Sequence, residues 1–291
     1  MKEEIQPGAL YIVATPIGNL EDITRRAAHV LAAVDVIAAE DTRHTRKLLQ
    51  YLGITSKQLR SCHEHSTARE IDRVLQELGR GRSVALVSDA GTPLLSDPGF
   101  ALVESARKAG IPVLPVPGAS AITAALSVAG LPTGSFLFAG FLPAKQAGRI
   151  ASLQELRLLS SSMVFFEAPH RISDFLADAI TVFGEQREGF IGRELTKKFE
   201  DHIGGTLREI LSAIEADDDR RRGEFVIVIA GCSEAEAQAG RVEQAIAIGS
   251  ALRPGLSLKQ AVATACELTG ARKNTVYASL LQQEQEDSGG A

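Results

Sequence analysis

Residues 86–99 read Leu-Val-Ser-Asp-Ala-Gly-Thr-Pro-Leu-Leu-Ser-Asp-Pro-Gly. An apolar run over 84–87 passes straight into a stretch of turn-forming and carboxylate residues that Pro98 and Gly99 close. A strand-to-helix connection usually takes about 2–6 residues, and this one is longer. Ligands of open α/β sheets sit beyond the carboxyl ends of parallel strands, so a loop so rich in Gly, Pro, Asp and Ser is placed for contact. An ordinary turn is the alternative.

Working outward, the same unit recurs. Residues 9–14, Ala-Leu-Tyr-Ile-Val-Ala, form the continuous apolar run that a strand buried on both faces requires. Asp22 or Thr24 can cap a helix whose apolar residues Ile23, Ala27, Val30, Leu31 and Val34 recur at helical spacing. A strand over 36–39 ends in Glu40-Asp41, and a helix carrying Leu48, Leu49 and Leu52 stops at Gly53. A weaker strand covers 59–62, and Thr67-Ala68-Arg69-Glu70 is a capping box for a helix running to Gly79. Beyond the central loop come a helix over 101–109 and a strand over 113–116 that ends at Pro117-Gly118. Five strand–helix alternations predict a mostly parallel sheet with helices on both faces.

A first α/β domain is therefore expected over 1–118 and a second over 119–232. In the second, strands are expected at 135–141, 163–166, 190–193, 225–230 and around 199–203, with helices at 149–159, 172–182 and 207–214. The alternation is less regular there and predicts a mixed sheet. Residues 233–291 differ in composition: a Glu/Ala/Gln-rich segment precedes helices at 257–268 and 273–281, with Gly270 between them. That helix-turn-helix outline reads as a packed hairpin more readily than as a nucleic-acid reader, since Lys259, Arg272 and Lys273 make a thin basic face.

With 291 residues, 45% hydrophobic and 23% charged, the chain is of globular composition and too long for one core. No run approaches the length of a membrane span and the first residues lack a secretion-signal core, so a cytoplasmic protein without membrane contact is expected. Cys62, Cys232 and Cys266 are far apart and lack metal-ligand spacing; no metal site is expected, and all three read as small core residues. The net charge of −5 gives no general attraction to nucleic acid, so an RNA partner must be met by a local basic patch.

No GxGxxG follows the first strand and no GxxxxGK[ST] occurs, which removes the usual cradles for dinucleotides and nucleoside triphosphates. Loops of small residues and acceptors suit a ligand without phosphates. S-adenosylmethionine is one: its adenine needs backbone hydrogen bonds and apolar cover, and its sulfonium tolerates no nearby cation.

Several blocks, in order along the chain, carry a specific resemblance. They are Ala14-Thr15-Pro16-Ile17-Gly18-Asn19-Leu20-Glu21-Asp22, Ala39-Glu40-Asp41-Thr42-Arg43-His44-Thr45-Arg46-Lys47, the loop 88–99, and Val116-Pro117-Gly118-Ala119-Ser120-Ala121. Phe166-Glu167-Ala168-Pro169-His170-Arg171 and Arg193-Glu194-Leu195-Thr196-Lys197-Lys198 complete the set. Together they resemble the ribosomal RNA small subunit methyltransferase I family, a branch of the tetrapyrrole-methylase-like fold that methylates a ribose 2′-hydroxyl. The resemblance implies a homodimer of two-domain α/β subunits with S-adenosylmethionine in the interdomain cleft. It also implies a target cytidine in the decoding centre of 16S ribosomal RNA, within the small ribosomal subunit.

Carried over residue by residue, Pro16, Asp89, Ala90, Gly91, Thr92, Pro93, Gly118, Ala119, Ser120, Ala121 and Ala168 fall where that fold holds the cofactor. The wider superfamily has Gly-Asp-Pro where this chain has Ser88-Asp89-Ala90, so of the central loop only Asp89 carries over securely. A ribose hydroxyl is a poor nucleophile at neutral pH and calls for a base or an alkoxide-stabilising cation. Glu167 and His170 are the candidates for proton acceptance and Lys197 for the cation; the plainer readings are a partner for Arg171, a turn residue and a solvated face. Candidate RNA contacts are Asn19, Arg43, His44, Arg46, Lys47, Arg171, Arg193 and Lys198, with 43, 46 and 47 on one helical face. A tetrapyrrole C-methyltransferase and a non-catalytic ribosome-assembly factor are the competing functional classes.

Overall fold

The computed structural model describes residues 4–63 and 67–289. Its first half runs β1 (Leu10–Val13), α1 (Arg25–Ala33), β2 (Val36–Ala39), α2 (Thr42–Tyr51), β3 (Gln58–Ser61), α3 (Ala68–Gly79), β4 (Val84–Val87), α4 (Phe100–Lys108) and β5 (Val113–Val116). All strand pairings are parallel, in the order β3-β2-β4-β1-β5. The two-residue alternation of a strand divides its side chains between two cores. Tyr11, Val13, Ile37, Ala39, Ala85 and Val87 meet Ala27, Val30 and Leu31 of α1 and Leu48 and Leu49 of α2. Leu10, Val36, Ala38, Val84 and Leu86 meet Val74 and Leu78 of α3 and Leu102 and Ala106 of α4. Helices thus cover both faces, as the apolar runs predict, and each fully buried Val, Leu or Ile contributes about 1.5–3 kcal/mol. The weaker β3 takes an edge and is only half-buried.

The second half contains α5 (Ala121–Val128), β6 (Phe136–Phe141), α6 (Gln146–Leu156), β7 (Ser162–Glu167), α7 (Ile172–Phe183), β8 (Glu188–Arg193), β9 (Asp201–Thr206), α8 (Leu207–Glu215) and β10 (Phe225–Ile229). The sheet order is β6-β7-β10-β8-β9; β6 and β7 are parallel and the other pairs antiparallel, giving the expected mixed sheet. Phe225, Ile227 and Ile229 face α6, α7 and α8, whereas Val226 and Val228 face α5. The α6 helix begins three residues before its expected start, at Gln146, because its first turn is anchored internally. Gln146 Nε2 and Arg149 Nε donate to the two oxygens of buried Asp178 of α7 at 2.8 and 2.7 Å.

The halves meet through the α5 core. Ile17, from the loop after β1, packs with Ile122, Ala125 and Leu126 of α5 and with Val164, Phe190 and Val226 of the second sheet. The remaining residues form α9 (Glu234–Leu252), α10 (Leu258–Thr269) and α11 (Lys273–Gly289). The Glu/Ala/Gln-rich segment is thus the start of a 19-residue helix, set off by a Ser233–Glu236 capping box. Ala245, Val262, Ala265, Cys266, Val276 and Leu280 hold the three helices together. Cys62, Cys232 and Cys266 are buried and free, and no helix of the described residues is long and apolar enough to cross a membrane.

Candidate active site

The loops that leave β1, β4 and β5 are stitched to one another by main-chain atoms. Thr15 and Gly91 exchange both backbone hydrogen bonds, at 2.8 and 3.1 Å, and the Thr15 hydroxyl donates to the Ser88 carbonyl at 3.2 Å. The Ala14 N–H donates to the Val116 carbonyl at 3.1 Å, and the Thr92 hydroxyl to that of Ala119 at 3.2 Å. These bonds hold the 88–99 loop in a conformation it would not adopt alone: Leu94 and Ser96 have φ of +74° and +67°, uncommon for residues with a side chain. Opposite, Glu194 and Thr196 have φ of +49° and +64°. Two strained segments therefore face each other, and strain of this kind gathers at functional sites.

Between them lies a cavity of about 360 Å³. Ala90, Gly91 and Thr92 line it from the β4 loop, Ser120 and Ala121 from the start of α5, Glu167 and Ala168 from the end of β7, and Lys197 from beyond β8. Phe141 and Phe166 supply apolar wall. Gly118 and Ala119 line an adjoining open groove with Ser120. Pro16 and Pro93 are buried among the loop bases and do not line the cavity.

Asp89 is held elsewhere. Its Oδ1 accepts from the Asp41 N–H at 3.0 Å and its Oδ2 lies 3.0 Å from His44 Nδ1, while its own N–H donates to Glu40. It fastens the β4 loop to the start of α2, with its carboxylate turned from the cavity. Asp41, His44 and Asp89 bring their ligating atoms within 4.8 Å of one another, yet Asp41 is already gripped by the Arg43 guanidinium.

Glu167 is 2% exposed. Its Oε1 accepts from the Ala168 N–H at 2.8 Å and sits 3.1 Å from Arg171 Nε; its Oε2 has no partner. Burial pushes this carboxyl above the usual range, against the Ala168 bond and the Arg171 charge. Arg171 also donates to the Leu142 and Pro143 carbonyls, so it braces the β6 end rather than pointing outward. Burial alone would lower the Lys197 ammonium, but 2.9 Å bonds to Glu194 and Glu224 carry it above its ordinary value. Among the described residues Lys197 is the one cation lining the cavity, and it is balanced twice over; with Asp97, Glu167 and Glu224 also there, the lining is net acidic.

His170 is exposed on a single turn of 3-10 helix outside the cavity. Asn19 caps a short turn with its side chain and donates its N–H to Thr196 Oγ1 at 3.1 Å, bridging the halves. Arg193 is spent on the Arg222 and Phe199 carbonyls, and Lys198 lies over the Phe199 ring. Arg46 and Lys47 are exposed on α2.

The residue that sequence reading passed over is Asp97, which lines the cavity beside Ser96. Burial, with Glu40 and Asp89 nearby, pushes its carboxyl up to about 6 against a hydrogen bond from Ser88. Its only signal was a carboxylate in a loop already read as ligand-facing; Pro98 and Gly99 beside it made it look like part of a turn.

Over residues 9–211 the chain matches the family described as Tetrapyrrole (Corrin/Porphyrin) Methylases, and over 239–284 the RsmI C-terminal HTH domain. It is 47% identical over 277 residues to ribosomal RNA small subunit methyltransferase I of Pseudomonas aeruginosa, covering 95% of this chain and 98% of that one. The protein of the same name from Escherichia coli O157:H7 is 45% identical, with 95% and 96% covered. In structure the chain is similar to uroporphyrin-III-C-methyltransferase from Thermus thermophilus, with TM-score 0.55, 20% identity and 77% and 94% covered. A diphthine synthase superposes with TM-score 0.58 at 15% identity, covering 79% and 92%. Proteins named for such different substrates share this fold, so the fold alone does not choose among substrates.

Proposed function

The chain belongs to the ribosomal RNA small subunit methyltransferase I family, and from that premise we propose that it methylates the ribose 2′-hydroxyl of a decoding-centre cytidine in 16S ribosomal RNA, using S-adenosylmethionine. One observation carries the cofactor reading: the cavity at the carboxyl ends of β1, β4 and β5 joins small loop residues to an apolar wall, is net acidic, and among the described residues has no uncompensated cation. A sulfonium is stabilised there, whereas a phosphate would meet Asp97, Glu167 and Glu224. The volume lies within the range of small-molecule sites, and the unpartnered Glu167 Oε2 offers a buried acceptor to a donor group of the ligand.

When bound, S-adenosylmethionine supplies a methyl group already activated by positive sulfur. The protein's contribution is then positional. Ala90, Gly91, Ser120, Ala121 and Ala168 allow close backbone approach, and the stitched loops fix where the reacting centres meet. Glu167 and Lys197 stand in the wall as acceptor and cation; Pro16, Asp89, Pro93, Gly118 and Ala119 act from behind, by setting the loops. Arg46 and Lys47 on the exposed face of α2 meet RNA phosphates, with Arg43 and His44 at its start. The edge strand β6 leaves Phe136, Leu137 and Phe141 at 45%, 38% and 56% exposed, an apolar margin that a second copy would cover in a homodimer.

Tritium transfer from labelled S-adenosylmethionine into small ribosomal subunits, followed by mapping of 2′-O-methyl groups, tests the reaction. Absence of any thermal stabilisation by the cofactor would instead favour a non-catalytic assembly factor.

A further inference from the structure

A second cavity, of about 530 Å³, lies on the other side of Ser96 and Asp97, which line both spaces. Its wall combines Glu40, His63 and Asp97 with Cys62 and Ile71, and Phe100 stands in it 70% exposed. A phenyl ring left in water at the first position of α4 needs a reason, because the interior positions of that helix, Leu102 and Ala106, are filled. Two carboxylates against one histidine make the wall unfavourable to phosphate. Two carboxylates beside an open aromatic face instead suit a flat ring that stacks and donates through an exocyclic amino group, since Asp and Glu accept from such groups.

The surroundings complete the fit. Glu40 lies two residues before α2, whose Arg46 and Lys47 are exposed and form no ion pair among the described residues. Cations suited to phosphate therefore stand in the second turn of α2, six residues beyond a residue of a cavity unfavourable to phosphate, the arrangement expected where a nucleotide is turned out of its strand.

We propose that this second cavity receives the amino-bearing base of the target RNA nucleotide, stacked on Phe100, with its ribose lying over Ser96–Asp97 toward the first cavity. The inference rests on the methyltransferase reading above and adds to it the place of the base.

The test uses the full-length protein with small ribosomal subunits from a strain lacking this methylation. Phe100→Ala removes the stacking face; Ala101→Phe, at an exposed helical position lining the same cavity, fills it. Both variants are expected to bind S-adenosylmethionine by calorimetry as the parent does, while KM for subunits rises about tenfold or more, the size of one base–aromatic contact. Phe100→Tyr, which keeps the ring, is expected to restore the parent KM. Parent-like KM in both variants overturns the proposal, and so does weakened cofactor binding in step with KM, which would mean that the loop had moved. Failure of the parent protein to methylate subunits at all would instead remove the reaction on which the inference stands.

Discussion

Thr15 and Gly91 pair as two strand residues would, at 2.8 and 3.1 Å, although neither lies in a strand. The bridge is antiparallel, unlike the parallel β1–β4 ladder it follows, so the loop has turned back on itself there and delivers Ala90–Thr92 to the cavity. Gly91 has φ of +74°, and a Cβ there would lie 3.2 Å from Ile17 Cγ2. Gly91→Ala should therefore cost about 1–2 kcal/mol of stability through backbone strain. Urea denaturation measures that cost, and calorimetry with S-adenosylmethionine should show weaker binding. Unchanged affinity would mean that this loop does not hold the cofactor.

Gly18 makes the corresponding contact between the halves. A Cβ added to it would stand 2.4 Å from Lys197 Cγ, 2.8 Å from Thr196 Oγ1 and 3.0 Å from the Leu195 carbonyl. Lys197 can swing aside; the Leu195 backbone cannot, since Glu194 and Thr196 are both at positive φ. Gly18→Ala is expected to open the 195–197 segment by a few tenths of an ångström. Methyl transfer should fall about tenfold with little change in circular dichroism, because misplacement at a reacting centre costs more in rate than in stability.

The parallel sheet was legible because its strands are continuous apolar runs, and Val36–Ala39 and Val84–Val87 lie where those runs are. The strand β9 was harder to place: Asp201–Thr206 contains two glycines and of its residues Ile203 alone is buried, so its pairing with β8 decides its bounds. The long α9 left little periodic trace, since its buried positions are Ala and Gly rather than large apolar residues. At the site, residue types pointed to the loops that line the cavity, but side-chain direction is tertiary information. Asp89 turns toward His44, Arg171 turns inward to Glu167, and Asp97 turns to the cavity. Sequence spacing contains none of these three choices.

Arg149 and Asp178 test how the second half is held. Both are buried, 2.7 Å apart, with Gln146 on the remaining carboxylate oxygen. Asp178→Ala leaves the guanidinium buried with the Ala144 carbonyl as its remaining hydrogen-bond partner among the described residues and should destabilise by about 3–5 kcal/mol. Replacing both by leucine should recover part of that loss, which chemical denaturation of the two variants would show.

Asp97 gives the stability a pH dependence. Its folded carboxyl titrates at about 6, above the ordinary 3.8, because burial disfavours the charge. The folded state therefore binds the proton more tightly; the stabilisation is complete below pH about 4 and is lost as pH rises through 6. Asp97→Asn should accordingly be more stable than the parent at pH 7.5, by about 1–2 kcal/mol once partial exposure is allowed for, and the gap should close toward pH 4. Denaturation midpoints across that range decide it; a gap of constant size would show that ionisation of Asp97 is not its source.

Arg46 and Lys47 should matter more for RNA binding than Arg43, although all three lie near the start of α2. The Arg43 guanidinium makes three hydrogen bonds to Asp41, holding that carboxyl far below its usual range, so the pair approaches RNA nearly neutral. Arg46 and Lys47 have no carboxylate partner among the described residues and carry their full charge to the surface. Each cation that neutralises one phosphate changes the slope of log K against log salt by about 0.7–0.9. Arg46→Ala and Lys47→Ala should each flatten the salt dependence of subunit binding by about that amount, and the double variant by about twice it. Arg43→Ala should change the slope less while exposing an unpaired Asp41 that weakens binding at low salt. Filter binding between 50 and 200 mM salt separates these outcomes, and equal slopes for all three single variants would remove the distinction drawn from the Asp41 pair.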